Sequence, residues 1–247
     1  MDLSDRRIVV TGAGRDFGRA LAHHFSGLGA ELFLSARSSA AAEEVRAELV
    51  GRGHDPDRVH AFACELADPA SIRAFAADVA KVTDRIDVLV NNAARWLAAP
   101  DLLSVSDEDV ADALASTGAG TILVTKNLLP LLLASDRPDV VTMVSACGVP
   151  GADHPTAHEA YFASKHAQRG FTEALSRRLR PRGVRVISLY PPDFDSTRAP
   201  HTPEWDETPR GAQDPLSPQS VLDCVTFAIG QPRDCYISAF HFEGMPG

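Results

Sequence analysis

The residues best suited to chemistry are Tyr161 and Lys165, four apart in Tyr161-Phe162-Ala163-Ser164-Lys165. Positions four apart share one helix face. A lysine ammonium near a phenol favours the phenolate and lowers the phenol pKa. A tyrosine tuned in that way can serve as a general acid or base near neutral pH. Ser145 ends the apolar run Asp139 to Ser145, just before Ala146-Cys147-Gly148. A hydroxyl at the carboxyl end of a parallel strand can hydrogen-bond a substrate oxygen. Tyr-x-x-x-Lys alone is a common chance pattern, and Ser145 alone reads equally well as a turn residue. The elements that position them decide their weight.

A second stretch, Thr11-Gly12-Ala13-Gly14-Arg15-Asp16-Phe17-Gly18, follows the first apolar strand. Glycines there let the backbone approach a pyrophosphate, and the next helix offers free N–H groups and a positive dipole end. Gly12, Gly14, Arg15, Asp16, Phe17 and Gly18 are therefore candidate cofactor contacts. Asp16 is discordant, because a carboxylate aimed into an anion site repels phosphate. The favoured reading makes it the helix cap, with its side chain turned away. Arg37 ends the second strand. An acid at that strand end would bind the ribose hydroxyls of NAD, whereas arginines at 15 and 37 suit the 2′-phosphate of NADP.

The rhythm along the chain is strand, then helix. Strands are expected at 8–11, 31–36, 59–63, 87–90, 139–145, 184–189 and 236–240. Helices are expected at 19–28, 40–52, 69–82, 107–115, 121–134, 159–179 and 218–229. Such alternation builds βαβ units and a parallel sheet with helices on both faces. The expected fold is α/β: a single-domain, Rossmann-type, doubly wound sheet of seven parallel strands over residues 1–247. The stretch 193–217 holds Phe194, His201, Trp205 and four prolines, and reads as a substrate loop or lid.

Composition narrows the classes. The chain has 247 residues with 24 Lys plus Arg and 33 Asp plus Glu, a net charge of −9. That balance argues against a nucleic-acid surface. No apolar run approaches the roughly 20 residues of a membrane helix, and the amino terminus lacks the pattern of a signal peptide. The four cysteines form no CxxC pair, so reduced thiols and a cytoplasmic setting are expected. No metal-ligand spacing is present.

Taken together, the ordered motifs resemble the short-chain dehydrogenase/reductase family, from Arg7 to about Gly244. The Gly-rich turn matches from Thr11 to Gly18, and Asn91-Asn92-Ala93-Ala94 matches the Asn-Asn-Ala-Gly motif after the fourth strand. The resemblance implies that Tyr161 moves the proton on the substrate oxygen and that Ser145 holds that oxygen. It implies that Lys165 lowers the Tyr161 pKa and binds the nicotinamide ribose. It implies cofactor contacts at Glu65 and Leu66, at Asn91 and Ala93, at Pro191, and at Ser196 or Thr197. Thr117 falls where the family carries the catalytic Asn of its proton relay. A homodimer or homotetramer is implied through the helices at 121–134 and 159–179.

Asp16 replaces the middle glycine of the turn, Ala94 another glycine, and Pro192 the glycine of Pro-Gly, removing an N–H beside the cofactor. The segment from Ser145 to Tyr161 is longer than usual and contains His154 and His158, either of which could reach the substrate. The leading expectation is an oxidoreductase that prefers NADP(H) over NAD(H) and interconverts a small carbonyl compound and its secondary alcohol. Asp16, Pro192 and Thr117 also motivate an epimerase or dehydratase without net redox. A dinucleotide-binding regulatory protein without catalysis is the alternative from another class.

Overall fold

Successive residues of a strand point to opposite sides of a sheet, and here both sides are buried. Val9, Phe33, Leu89 and Val140 pack on one face with Phe75 and Leu128. Ile8, Leu32, Val88 and Val141 pack on the other with Phe25 and Val225. The computed structural model describes residues 1–99, 101–193 and 215–243. Its strands are β1 (Arg7–Thr11), β2 (Glu31–Ala36), β3 (Val59–Ala63), β4 (Val88–Asn91), β5 (Asp139–Met143), β6 (Arg185–Tyr190) and β7 (Ala239–His241). They form one seven-stranded sheet in the order β3-β2-β1-β4-β5-β6-β7, and every pairing is parallel. The helices are α1 (Asp16–Gly27), α2 (Ser39–Gly51), α3 (Pro69–Val82), α4 (Asp107–Ala113), α5 (Gly120–Leu133), α6 (Glu159–Leu179) and α7 (Pro218–Gly230). The doubly wound, seven-stranded parallel sheet expected from the sequence is the one observed.

The strand order reverses between β1 and β4, which opens a crevice at the carboxyl edge of the sheet. At the opposite edge the buried carboxylate of Asp139 accepts two bonds from Arg185, both 2.8 Å, and one from Arg233, 2.7 Å. That ion cluster ties β5, β6 and the segment after α7 together, away from the crevice.

Four of the differences from the sequence reading have a local reason. Helix α1 begins at Asp16, not Arg19, because Asp16 turns directly into it with φ +48°. Strand β5 stops at Met143, two residues before Ser145, because Val144 N–H and Ser145 N–H both donate to the single carbonyl of Leu189. Strand β7 covers Ala239–His241 instead of starting at Tyr236. There the Tyr236 hydroxyl accepts from Val186 N–H (3.2 Å) and donates to Val186 C=O (2.7 Å), taking the place of ladder bonds. The two helices expected at 107–115 and 121–134 are joined by a π-helical segment, Leu114–Ala119. Of the predicted lid, 194–214 lies outside the described residues.

Gly18 shows how tightly the first turn is built. A Cβ on it would lie 1.9 Å from Gly12 O. Gly18→Ala is expected to destabilise the protein by about 1–3 kcal/mol. Gly27→Ala, at the end of the same helix with nothing within 4 Å, should be neutral or gain about 0.5–1 kcal/mol. Thermal melting of the two variants checks this, and equal effects would contradict the close packing at Gly18.

Candidate active site

The Gly-rich turn is braced from β4. Thr11 Oγ1 accepts the N–H of Asn92 (3.0 Å) and of Ala93 (3.2 Å) and donates to Val90 C=O (3.3 Å). Asn92 Nδ2 donates to Thr11 C=O at 3.1 Å. Gly12 has φ +67°, and a Cβ there would lie 2.8 Å from Ala93 Cβ. Backbone alone can therefore line the turn. Asp16 does not cap α1: Arg15 holds the cap position and no side chain caps it. Asp16 occupies the left-handed conformation that a glycine would adopt freely, a position Asp tolerates better than most residues. Its carboxylate lies 3.5 Å from Arg15 Nε.

Above this turn lies a cleft of about 700 Å³, within the range of ligand sites. Gly12, Gly14, Arg15, Asp16, Phe17 and Gly18 line it from the β1–α1 turn. Arg37 lines it beyond β2, Glu65 and Leu66 beyond β3, and Ala93 beyond β4. Glu65 is held by its own turn, its carboxylate accepting Ala67 N–H at 3.1 Å. Asn91 is different from what the sequence implied. Its buried side chain donates to Thr125 Oγ1 (3.0 Å) and Thr142 Oγ1 (3.5 Å), tying β4 to α5 and β5. Its neighbour Asn92 faces the cleft instead. Ser196 and Thr197 lie outside the described residues. A concave wall of Cβ-free backbone at a helix start, with two arginines beside it, fits a phosphate-bearing dinucleotide.

Past the cleft, Ser145 has φ +81° and ψ 155°, a region that glycine alone normally occupies and that costs other residues of order 1–3 kcal/mol. The two N–H groups converging on Leu189 impose it. Pro191 C=O accepts Ala146 N–H at 2.8 Å and so locks the same turn. Its reward is a hydroxyl beside Tyr161, on the first turn of α6. Burial pushes the Tyr161 phenol above its ordinary pKa, nearby Cys147 adds to this, and a hydrogen bond with Ser145 draws it partway back.

Lys165 lies on the same face of α6, with Nζ 5.5 Å from the Tyr161 ring centroid. Burial lowers its pKa to about 7. Nζ donates to Met143 C=O (2.8 Å) and to Gln168 Oε1 (3.0 Å). Burial, not Lys165, is the leading cause of the shift at Tyr161. The lysine's own charge is desolvated, and two of its donors point at protein acceptors. The result is a phenol kept protonated at neutral pH.

Thr117 falls within the π segment and is fully buried. Its hydroxyl accepts Arg95 N–H at 2.9 Å and its carbonyl accepts the Thr121 hydroxyl at 2.7 Å. Of the two histidines, His158 is a structural cap: its Nδ1 accepts Ala160 N–H at 3.0 Å and it is 0% exposed. His154 stands at the site, 3.0 Å from the Asp193 carboxylate. Trp96 bridges the two, packing edge-on against Tyr161 (4.7 Å between centroids) and His154 (5.3 Å). Trp96, Asp193 and Gln168 were not singled out from sequence. Gln168 alone left a usable signal, an amide one helical turn after Lys165.

The comparisons with known proteins agree with this geometry. A family model described as short chain dehydrogenase matches residues 6–207. The chain is 34% identical to D-threitol dehydrogenase of Mycolicibacterium smegmatis, over 76% of this chain and 70% of that protein. It is 32% identical to oxidoreductase UcpA of Escherichia coli K12, over 94% and 82%. The matched stretch is 65% of the length of a Streptomyces violaceoruber relative and 56% of two mouse relatives. Among solved structures, a metagenomic short-chain oxidoreductase in complex with NADP superposes with a TM-score of 0.78 at 27% identity, covering 97% of this chain and 96% of that one. With the sheet, the Gly-rich turn and these matches in agreement, the chain belongs to the short-chain dehydrogenase family.

Proposed function

We propose that this protein reduces a small ketone to its secondary alcohol with NADPH. The observation that carries the reading is the buried Tyr161 phenol beside Ser145 at the carboxyl edge of the sheet. Ser145 orients the substrate oxygen with its hydroxyl. Tyr161 gives its proton to that oxygen as negative charge develops there. Lys165 stabilises the phenolate that remains. A bound nicotinamide dinucleotide supplies the hydride. Gly12, Gly14 and Gly18 seat its phosphates, Glu65 and Leu66 flank its adenine end, and Ala93 and Pro191 frame the nicotinamide end. Trp96 covers the phenol and limits access of water.

Preference for NADPH rests on Arg15 and Arg37, which line the cleft where a carboxylate would read NAD. Two structural neighbours are complexes with NADP, and the similarity to a D-threitol dehydrogenase supports a hydroxyl-bearing product. Thr117 supports the site through backbone contacts. The reading also includes a cytoplasmic setting, consistent with four free cysteines and with no helix among the described residues being long and apolar enough to cross a membrane. A homodimer or homotetramer completes it.

Three outcomes test this reading. Tyr161→Phe should lower carbonyl turnover by about 10²–10⁴-fold while NADPH still binds in a fluorescence titration; near-normal turnover would refute the proton donor. Calorimetry should show NADPH binding at least about tenfold more tightly than NADH, and Arg37→Ala should remove most of that margin. Equal binding of the two by the unaltered protein would contradict the assignment of the arginines. Ser145→Gly should raise thermal stability, because it relieves the positive-φ strain, yet cut turnover; a variant that is both less stable and fully active would contradict the role given to Ser145.

A further inference from the structure

We propose that Gln168 is the positioning residue for Lys165, holding its ammonium through an all-protein chain of hydrogen bonds that ends on the π segment. The inference builds on the reading of Lys165 given above. Lys165, Gln168, Thr121 and Thr117 are 2%, 0%, 1% and 0% exposed. Lys165 Nζ donates to Gln168 Oε1 at 3.0 Å, and Gln168 Nε2 donates to Thr121 Oγ1 at 2.8 Å. Thr121 Oγ1 donates in turn to Thr117 C=O at 2.7 Å.

The direction of each bond follows from the groups themselves. An ammonium only donates, so Gln168 must present its oxygen to Lys165. Its amide nitrogen then needs an acceptor, and Thr121 Oγ1 can accept because it sends its own hydrogen to Thr117. Turning the amide over would break both of its bonds. Buried polar chains of this kind are rigid when every member is satisfied.

The arrangement also explains how the site works with threonine at position 117. Thr117 carries no amide, and its hydroxyl already accepts Arg95 N–H at 2.9 Å. The side-chain amide that touches the lysine comes from α6 instead, one turn beyond it. With Met143 C=O and Gln168 Oε1 occupying two of the three ammonium donors, one donor is left for the reacting side of the site. Removing Gln168 lets the ammonium rotate and lose that aim. The titratable groups facing Lys165 are Tyr161 on its own helix and Cys147 on the turn after β5. Asp193 acts on both of these.

The test uses the full chain and two readouts. The sequence holds only three lysines, Lys81, Lys126 and Lys165, and the first two are exposed. Lysine-selective NMR therefore resolves Lys165 in the cofactor-free protein. Gln168→Leu should lower kcat at least about tenfold with the carbonyl KM within about twofold, and should lower the pH midpoint of the Lys165 signal. Gln168→Glu keeps an acceptor for the ammonium. It should recover most of kcat and raise that midpoint. Thr121→Val, which strips the acceptor from Gln168 Nε2, should lower kcat in the same direction by less, and serves if Gln168→Leu does not fold. Unchanged kcat and an unmoved Lys165 signal in folded Gln168→Leu would overturn the proposal. If the unaltered protein reduces no carbonyl, the proposed function fails, while the lysine titration still decides the role of Gln168.

Discussion

A lysine ammonium sealed from water has three donors to satisfy and a charge that the interior resists. Much of the site follows from how Lys165 meets those demands. Its position on α6 aligns it with Tyr161, one turn earlier. The end of β5 offers it the Met143 carbonyl, and Gln168 offers an amide oxygen. Those two acceptors hold the lysine near the phenol without neutralising it outright, since neither carries charge. Burial then acts on both groups in opposite directions, lifting the phenol and lowering the ammonium. Both shifts favour the uncharged forms, and a neutral phenol is a proton donor.

The rest of the fold delivers these groups to one place. Parallel strands put the loops that carry function at one edge, and the reversal of strand order between β1 and β4 opens the crevice there. The ion cluster on Asp139 secures the opposite edge. Ser145 shows the cost of the arrangement: it takes a glycine backbone conformation so that a hydroxyl, which glycine lacks, can stand beside Tyr161. Asp16 makes the opposite compromise, adopting a positive φ where no side chain is needed and directing its carboxylate toward Arg15.

Much of this was legible in the residues. Apolar runs such as Leu32–Leu34 and Val88–Val90 announce strands covered on both faces, and glycines at 12, 14 and 18 announce the tight turn that lines the cleft. What was not legible depended on backbone detail or on partners distant in sequence. Asn91 and Asn92 are adjacent and alike, and only the pleat of β4 decides that one is buried and the other faces the cleft. The end of β5 depended on two N–H groups sharing the Leu189 carbonyl. The π segment at Leu114–Ala119 has no periodicity of its own to distinguish it from a helix break. The spacing places Gln168 one turn after Lys165, but its second partner, Thr121, lies 47 positions away and could not be read from it. Trp96 joins His154 and Tyr161 from a separate loop.

The central claim is that hydride reaches the substrate carbon while Tyr161 protonates its oxygen. The most direct measurement is mass spectrometry of the alcohol formed from a ketone with NADPH deuterated at the transferable C4 position. The account predicts one deuterium on the carbinol carbon and one equivalent of NADPH consumed per alcohol formed. An isomerised or dehydrated product with no deuterium and no NADPH consumed would contradict it.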